Sequence, residues 1–239
     1  MSPSKAAQKY KSETMHGSGD SEYTKDEIFD ASCIYAKRLL AKESDKSRDE
    51  EQAISSIPKL KKEEFKLGKV LGRGTFGVVQ EVMGVATLND SSKKRFSKKT
   101  SQKVIDNVTI IDQNTLSDLC FRGKGVSRFA MKYLSDEVMG DHNICYRAIL
   151  DMDHDRKFLS VLDHPCIIKI RAISQCGPFD QNDFILMDKL DETLDKKIAH
   201  WKRKTIRIGF GSKKKRKYED RLAVAYDLIS AVSYLHSKE

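Results

Sequence analysis

Hydrophobic positions recur along this chain with two different periods, and the change between them marks its parts. Thr24-Lys25-Asp26-Glu27 has the capping-box pattern, threonine at the cap and glutamate three residues on. Ile28, Ala31, Ile34, Tyr35 and Leu39 then recur at helical spacing, which predicts a helix over 25–42, packed on the outside of the main domain. The residues before it, 1–23, hold little to bury and read as a disordered tail. Residues 43–58 are charged and read as a linker.

From Phe65 the period becomes two. Phe65 to Leu71 alternates as a strand does, Gly72-Arg73-Gly74-Thr75-Phe76-Gly77 is a turn, and Val78 to Ala86 reads as a second strand, together a glycine-tipped hairpin. Arg128–Leu134, Ile167–Ile173 and Asp183–Leu190 are further strand-type runs. Ile149–Leu162 is amphipathic and helical, with Phe158, Leu159 and Leu162 on one side. A short helix is expected over Leu194–Trp201. A stronger one is expected over Arg221–His236, with Leu222, Tyr226, Ile229, Val232 and Leu235 near one face. Two basic insertions interrupt the series. One covers 88–126 and contains Lys93-Lys94-Arg95, Lys98-Lys99 and a small apolar patch from Val104 to Ile111; the other covers 202–217.

Composition narrows the classes. The 239 residues can bury a sizeable core, but 33% are charged against 39% hydrophobic, wetter than an average domain. Lys and Arg number 44 against 35 Asp and Glu, a formal charge of +9. That balance invites a nucleic-acid, membrane or phosphate partner without choosing among them. No run is long enough to span a bilayer, and residues 1–20 lack the apolar core of a secretory signal. The five cysteines, Cys33, Cys120, Cys145, Cys166 and Cys176, never form a C-x-x-C pair. They read as scattered thiols of a cytoplasmic or nuclear protein rather than as a disulfide framework or a zinc site.

The glycine turn is the first candidate for chemistry. In dinucleotide-binding folds G-x-G-x-x-G joins a strand to a helix; here Val78, Val79, Val82 and Val85 follow, so it joins strand to strand. A missing side chain lets backbone N–H groups approach phosphate oxygens, although an ordinary hairpin uses the same glycines. Further residues appear in a telling order: Leu71-Gly72-x-Gly74-x-Phe76-Gly77-x-Val79, then Phe129-Ala130-Met131-Lys132, then Leu162-Asp163-His164-Pro165-Cys166-Ile167-Ile168. Phe184 to Leu190 and Ala225-x-x-Leu228-x-x-Ala231-x-x-Tyr234-Leu235-His236-Ser237 complete it. This series resembles the N-terminal lobe, and the start of the C-terminal lobe, of eukaryotic protein kinases.

The resemblance covers residues 65–239 outside the two insertions. It implies an α+β fold: a small lobe of about five antiparallel strands with one main helix over 65–190, then the first helices of the large lobe over 191–239. It also implies roles. Gly72, Arg73, Gly74, Thr75, Phe76 and Gly77 would cover the phosphates of ATP, with Phe76 shielding them from water. Leu71, Val79 and Ala130 would form the apolar ceiling over adenine, and Met187 would be the gatekeeper. The backbone of Asp188 and Leu190 would bond the adenine edge, and Lys132 would grip the α- and β-phosphates. The family pairs that lysine with a glutamate on the next helix. Counting back from His164-Pro165 lands on Asp155, one methylene shorter, which reaches Lys132 only if the helix sits closer; Asp151 and Asp153 are nearby. Leu159 and Ile170 would continue a hydrophobic spine.

Two look-alikes are set aside. His154-Asp155-Arg156 precedes the His-Pro turn and is not a catalytic loop, and Asp183-Phe184 is followed by Ile185, so it is not Asp-Phe-Gly. In the family the substrate-orienting Asp and the Mg²⁺ ligands come after the Tyr-Leu-His-Ser helix, and the chain stops at Glu239. The expectation is therefore a fragment of an ATP- and Mg²⁺-dependent protein kinase, Ser/Thr-directed by base rate, inactive on its own and with an exposed stripe on its last helix. A pseudokinase-like scaffold is the alternative. A nucleic-acid binder is the weakest reading, because few aromatics are interleaved with the basic runs. Lys213-Lys214-Lys215-Arg216-Lys217 is expected on an exposed loop, either as a nuclear-import signal or as a solvated insertion or docking strip for acidic partners.

Overall fold

The computed structural model describes residues 23–42, 48–85, 120–122, 126–205 and 212–238. The tail at 1–22, most of the first insertion with its patch at 104–111, and residues 206–211 lie outside them. The described residues fall into two units: those up to Val161 together with Ile170–Asp188, and Leu162–Lys169 together with those from Lys189 on. The fold class is α+β, with a mixed six-stranded sheet and six α-helices among the described residues.

The first unit is built on the sheet. Its strands are β1 (Lys59–Leu60), β2 (Phe65–Arg73), β3 (Val78–Val85), β6 (Phe129–Tyr133), β7 (Ile170–Ser174) and β8 (Phe184–Asp188). They lie in the order β1-β7-β8-β6-β3-β2. The two-residue strands β4 (Phe121–Arg122) and β5 (Val126–Ser127) pair separately. Alternation decides which side each residue covers. Phe65, Val82, Phe129, Met131, Phe184 and Leu186 build the core on one face. Leu134 and Ile185 join the core on the other, where the helices lie.

Helix α1 (Lys25–Lys42) has the expected limits and cap. The Thr24 amide donates to Glu27 Oε2 at 3.0 Å and the Glu27 amide to Thr24 Oγ1 at 3.3 Å. Of the expected face, Ala31 is buried and Tyr35 is exposed; the other buried residues are Phe29, Ser32, Cys33 and Ala36. The expected linker holds a helix, α2 (Arg48–Ser56), on which Ala53 and Ile54 are half-buried. Helix α3 is Asp136–Met139, and α4 runs His142–Val161. Both α1 and α2 pack on α4. Helix α4 starts seven residues before the expected position. Asp141 caps it, its Oδ1 accepting from the amides of Asn143 at 2.8 Å and Ile144 at 3.1 Å. Cys145, Ala148, Ile149 and Met152 are its buried apolar face; Phe158, expected inside, is exposed.

The expectation of an antiparallel sheet needs one correction. β1 pairs parallel with β7, Lys59 with Ile173 and Leu60 with Ser174. The bonds come from backbone, the Ile173 amide to Pro58 O at 2.9 Å and the Gln175 amide to Leu60 O at 2.8 Å.

In the second unit, α5 spans Leu194–Thr205 and α6 spans Ser212–His236. The basic run 213–217 is thus helical backbone that opens α6, not a loop. The His-Pro turn rests on α6. The Asp163 amide donates to Tyr234 Oη at 3.0 Å, His164 Nε2 lies 3.2 Å from Ser230 Oγ, and the His164 and Tyr234 rings stack with centroids 5.0 Å apart. Of the expected stripe, Leu222, Tyr226, Ile229 and Val232 are exposed and Leu235 is half-buried.

Candidate functional site

The glycine turn closes the β2–β3 hairpin, with Gly72 opposite Val79 and Arg73 opposite Val78. Its three glycines differ in what they do. A Cβ on Gly77 would come within 2.5 Å of the Tyr133 carbonyl oxygen, so β6 itself requires glycine there. A Cβ on Gly72 meets nothing within 4 Å, and one on Gly74 meets only the Gly77 oxygen at 3.9 Å. Neither of these two has a positive φ. Neither backbone conformation nor packing within the chain explains Gly72 and Gly74.

Register puts Val79 and Ala130 of the expected ceiling on one face, while Leu71 falls at a register irregularity of β2. Val79 lies opposite Lys132, which lies opposite Ile185; Ala130 lies opposite Met187. In-register neighbours share a face, and Ala130 and Lys132 are two apart, so Val79, Ala130, Lys132 and Met187 are all on the side that carries α4. Ala130 is buried, Val79 and Met187 half-buried, and Leu71 exposed.

Lys132 meets α4 there. Its ammonium donates to Asp155 Oδ2 at 2.6 Å and to Asp151 Oδ2 at 2.8 Å. Asp151 and Asp155 are one turn apart and project from one face of the helix, so a single cation reaches both. The lysine side chain is 20% exposed and the carboxylates 38% and 40%. Burial by itself depresses the pKa of Lys132, but the hydrogen bonds and charge of Asp151 and Asp155 outweigh it and hold it above lysine's ordinary value. The ammonium therefore stays charged at neutral pH. Asp153 faces elsewhere, buried and 2.5 Å from Lys157 Nζ.

Phe76, at the hairpin tip, is half-buried against the core on the side that carries α3 and α4. Between the tip and those helices lies a cleft of about 310 Å³, lined by Arg73, Gly74, Thr75 and Gly77 on one side and by Glu137, Val138 and Ile144 on the other. Arg73 and Glu137 approach to 3.6 Å across it, both largely exposed.

The residues set aside as look-alikes have a structural role. Arg156 Nη2 donates to Asp183 Oδ1 at 2.5 Å and Oδ2 at 2.7 Å, with both side chains almost fully buried, and the Ser174 hydroxyl donates to the same carboxylate. Burial pushes the Asp183 carboxyl up, and the guanidinium and hydroxyl pull it back. This network ties α4 to β7 and β8. No spacing rule pointed to it; the signal available was an arginine inside an amphipathic helix and an aspartate opening an apolar strand.

At the other end of β8, the Asp188 carboxylate accepts from Arg171 Nε at 3.0 Å and Nη2 at 2.7 Å, and Asp188 lies in register with Phe129 of β6. Leu190 belongs to the second unit and is exposed. Ile170 packs on the core below the sheet, whereas Leu159 is half-buried outside that cluster. No family model, curated protein or solved structure matches the chain.

Proposed function

We propose that residues 65–190 are the nucleotide-holding lobe of a protein kinase, an enzyme that moves the γ-phosphate of ATP to protein hydroxyls, Ser or Thr by family base rate. One observation carries the reading: Lys132, on the strand next to the glycine hairpin, is ion-paired with Asp155 on the helix beneath, at 2.6 Å. This is the pair that the kinase resemblance demands, with aspartate in place of glutamate. Gly72 and Gly74 support it, since glycine without an internal reason at a hairpin tip suits a ligand's close approach. The antiparallel strands β2, β3, β6, β8 and β7, with α4 against them, are compatible with the expected small lobe.

On this reading the adenine lies under Val79 and Ala130, and the phosphates lie between the hairpin and Lys132. Magnesium does not fit the described residues. Asp151 and Asp155 are both committed to Lys132, and no group of three or more His, Cys, Asp or Glu side chains among the described residues is placed to hold a metal. Residues 1–239 should accordingly bind nucleotide without transferring phosphate.

Calorimetric titration with ADP tests the reading. The chain should bind, and Lys132→Met should bind about tenfold or more weaker with an unchanged circular dichroism spectrum, the loss of a hydrogen bond to a charged group being worth about 1.5–3 kcal/mol. No ADP binding, or equal binding by both proteins, would rule it out.

A further inference from the structure

We infer that Asp151 competes with the nucleotide's phosphates for Lys132 and thereby sets a threshold for binding. The inference rests on the proposed nucleotide site. It concerns a residue that the family's spacing does not single out.

One cation here carries two carboxylates, so Lys132, Asp151 and Asp155 together have a net charge of −1. An ammonium has three N–H donors and no acceptor. Two of the three point at aspartates. A phosphate drawing on Lys132 must add further negative charge to an already negative group, or replace one of the carboxylates.

The two carboxylates are not equivalent in position. Ile144, in the first turn of α4, lines the cleft with Gly74 and Gly77. At 1.5 Å per residue, Asp151 lies about 10 Å along the helix from Ile144 and Asp155 about 16 Å. Asp151 is thus on the hairpin side of Lys132, where the phosphates would lie, and Asp155 is on the far side. Exchange is open to Asp151. Exposure is nearly the same for the two, 38% for Asp151 and 40% for Asp155, so position makes the choice, and water can take over at Asp151 when the lysine leaves it. Asp155 then keeps Lys132 on α4 while a phosphate oxygen takes the vacated place. In the absence of nucleotide, Asp151 acts through Lys132 as a positioning residue, a stand-in for the anion.

Electrostatics sets the size of the effect. A unit charge about 6 Å from a phosphate, at an effective dielectric between those of protein and water, changes anion affinity by about three- to tenfold. Adenosine has no phosphate and should not register the charge at all. A residue that merely supports the fold would affect ADP and adenosine alike.

The experiment titrates purified residues 1–239 with ADP and, separately, with adenosine, for wild type, Asp151→Asn, Asp151→Ser and Asp155→Asn. Expected are ADP binding about three- to tenfold tighter in both Asp151 variants, less so at high salt. Adenosine affinity should not change, and ADP should bind Asp155→Asn no tighter than wild type. ADP affinity that is unchanged or weaker in both Asp151 variants, while wild type binds ADP, would overturn the competition and leave the nucleotide reading standing. Equal tightening of ADP and adenosine would also overturn it. If wild type binds neither ligand, the nucleotide reading fails and this inference falls with it.

Discussion

Gly77 and Gly72 separate two reasons for glycine in one motif. The Tyr133 oxygen stands where a Gly77 side chain would go, and backbone on β6 cannot swing aside as a flexible side chain can. Gly77→Ala should therefore cost about 1–3 kcal/mol, the usual penalty for overpacking. Gly72→Ala has open space and should leave the melting temperature within a degree or two of wild type while weakening ADP binding. Thermal unfolding and ADP titration on the same two variants check both statements; a Gly72→Ala that binds ADP normally would remove that glycine from the site. The motif itself was legible as letters, but letters do not say which glycine answers to a neighbour and which to a ligand. The lysine's partners show a similar division. A count from His164-Pro165 reaches Asp155 because it assumes a fixed loop length. It selects one position and cannot reveal that Asp151, one turn earlier, shares the ammonium. Phe76 packs against the core on the helix side of the sheet, which takes part of an aromatic ring at a hairpin tip out of water.

At the scale of elements, α4 holds both aspartates, and α1 holds α4. Phe29, Cys33 and Ala36 of α1 pack with Cys145, Ala148, Ile149 and Met152 of α4. Ser32 Oγ lies 2.9 Å from His142 Nδ1, and the Tyr35 ring meets the Tyr146 ring edge-on at 4.8 Å. At its other side α1 reaches the β7–β8 connection, where Gln181 Nε2 donates to Asp26 Oδ1 at 2.9 Å. The small residues Cys33, Ala36, Cys145 and Ala148 let the two helices come close, so the contact is sensitive to volume. Phe29→Ala should cost about 3–5 kcal/mol. It should also weaken ADP binding, because a looser α4 holds Lys132 less well. Chemical denaturation followed by ADP titration in water checks this; lost stability with unaltered ADP affinity would mean that α1 supports the fold and not the site. The limits and cap of α1 were readable from Thr24 and Glu27, whose bonds are local. Its buried face was legible only in part: of Ile28, Ala31, Ile34, Tyr35 and Leu39, Ala31 is buried, Ile28, Ile34 and Leu39 are half-buried and Tyr35 is exposed, while Phe29, Ser32, Cys33 and Ala36 complete the face. Helix α2 and strand β1 escaped notice because a charged stretch with two half-buried residues, and a two-residue strand, carry almost no pattern of their own.

For the whole molecule, the two units depend on their sequence signals to different degrees. In the first, the expected strand runs match β2, β3, β6, β7 and β8 to within a few residues, because a strand with a core on each face reads as a continuous apolar run. In the second, the predicted stripe on α6 is exposed at Leu222, Tyr226, Ile229 and Val232, and a helical pattern alone does not say what such a face meets. The formal charge of +9 agrees with a phosphate-bearing ligand but does not place one. Placement rests on Lys132 beside the hairpin. An acyl-phosphate derivative of ATP transfers its acyl group to a lysine amine held next to the phosphates, and so reports that placement directly. Purified residues 1–239 treated with this reagent, digested and sequenced by mass spectrometry should carry the label chiefly on Lys132, and an excess of unmodified ATP should suppress it. Labelling spread over exposed lysines such as Lys61 and Lys69, with no effect of added ATP, would contradict the placement of a nucleotide at Lys132.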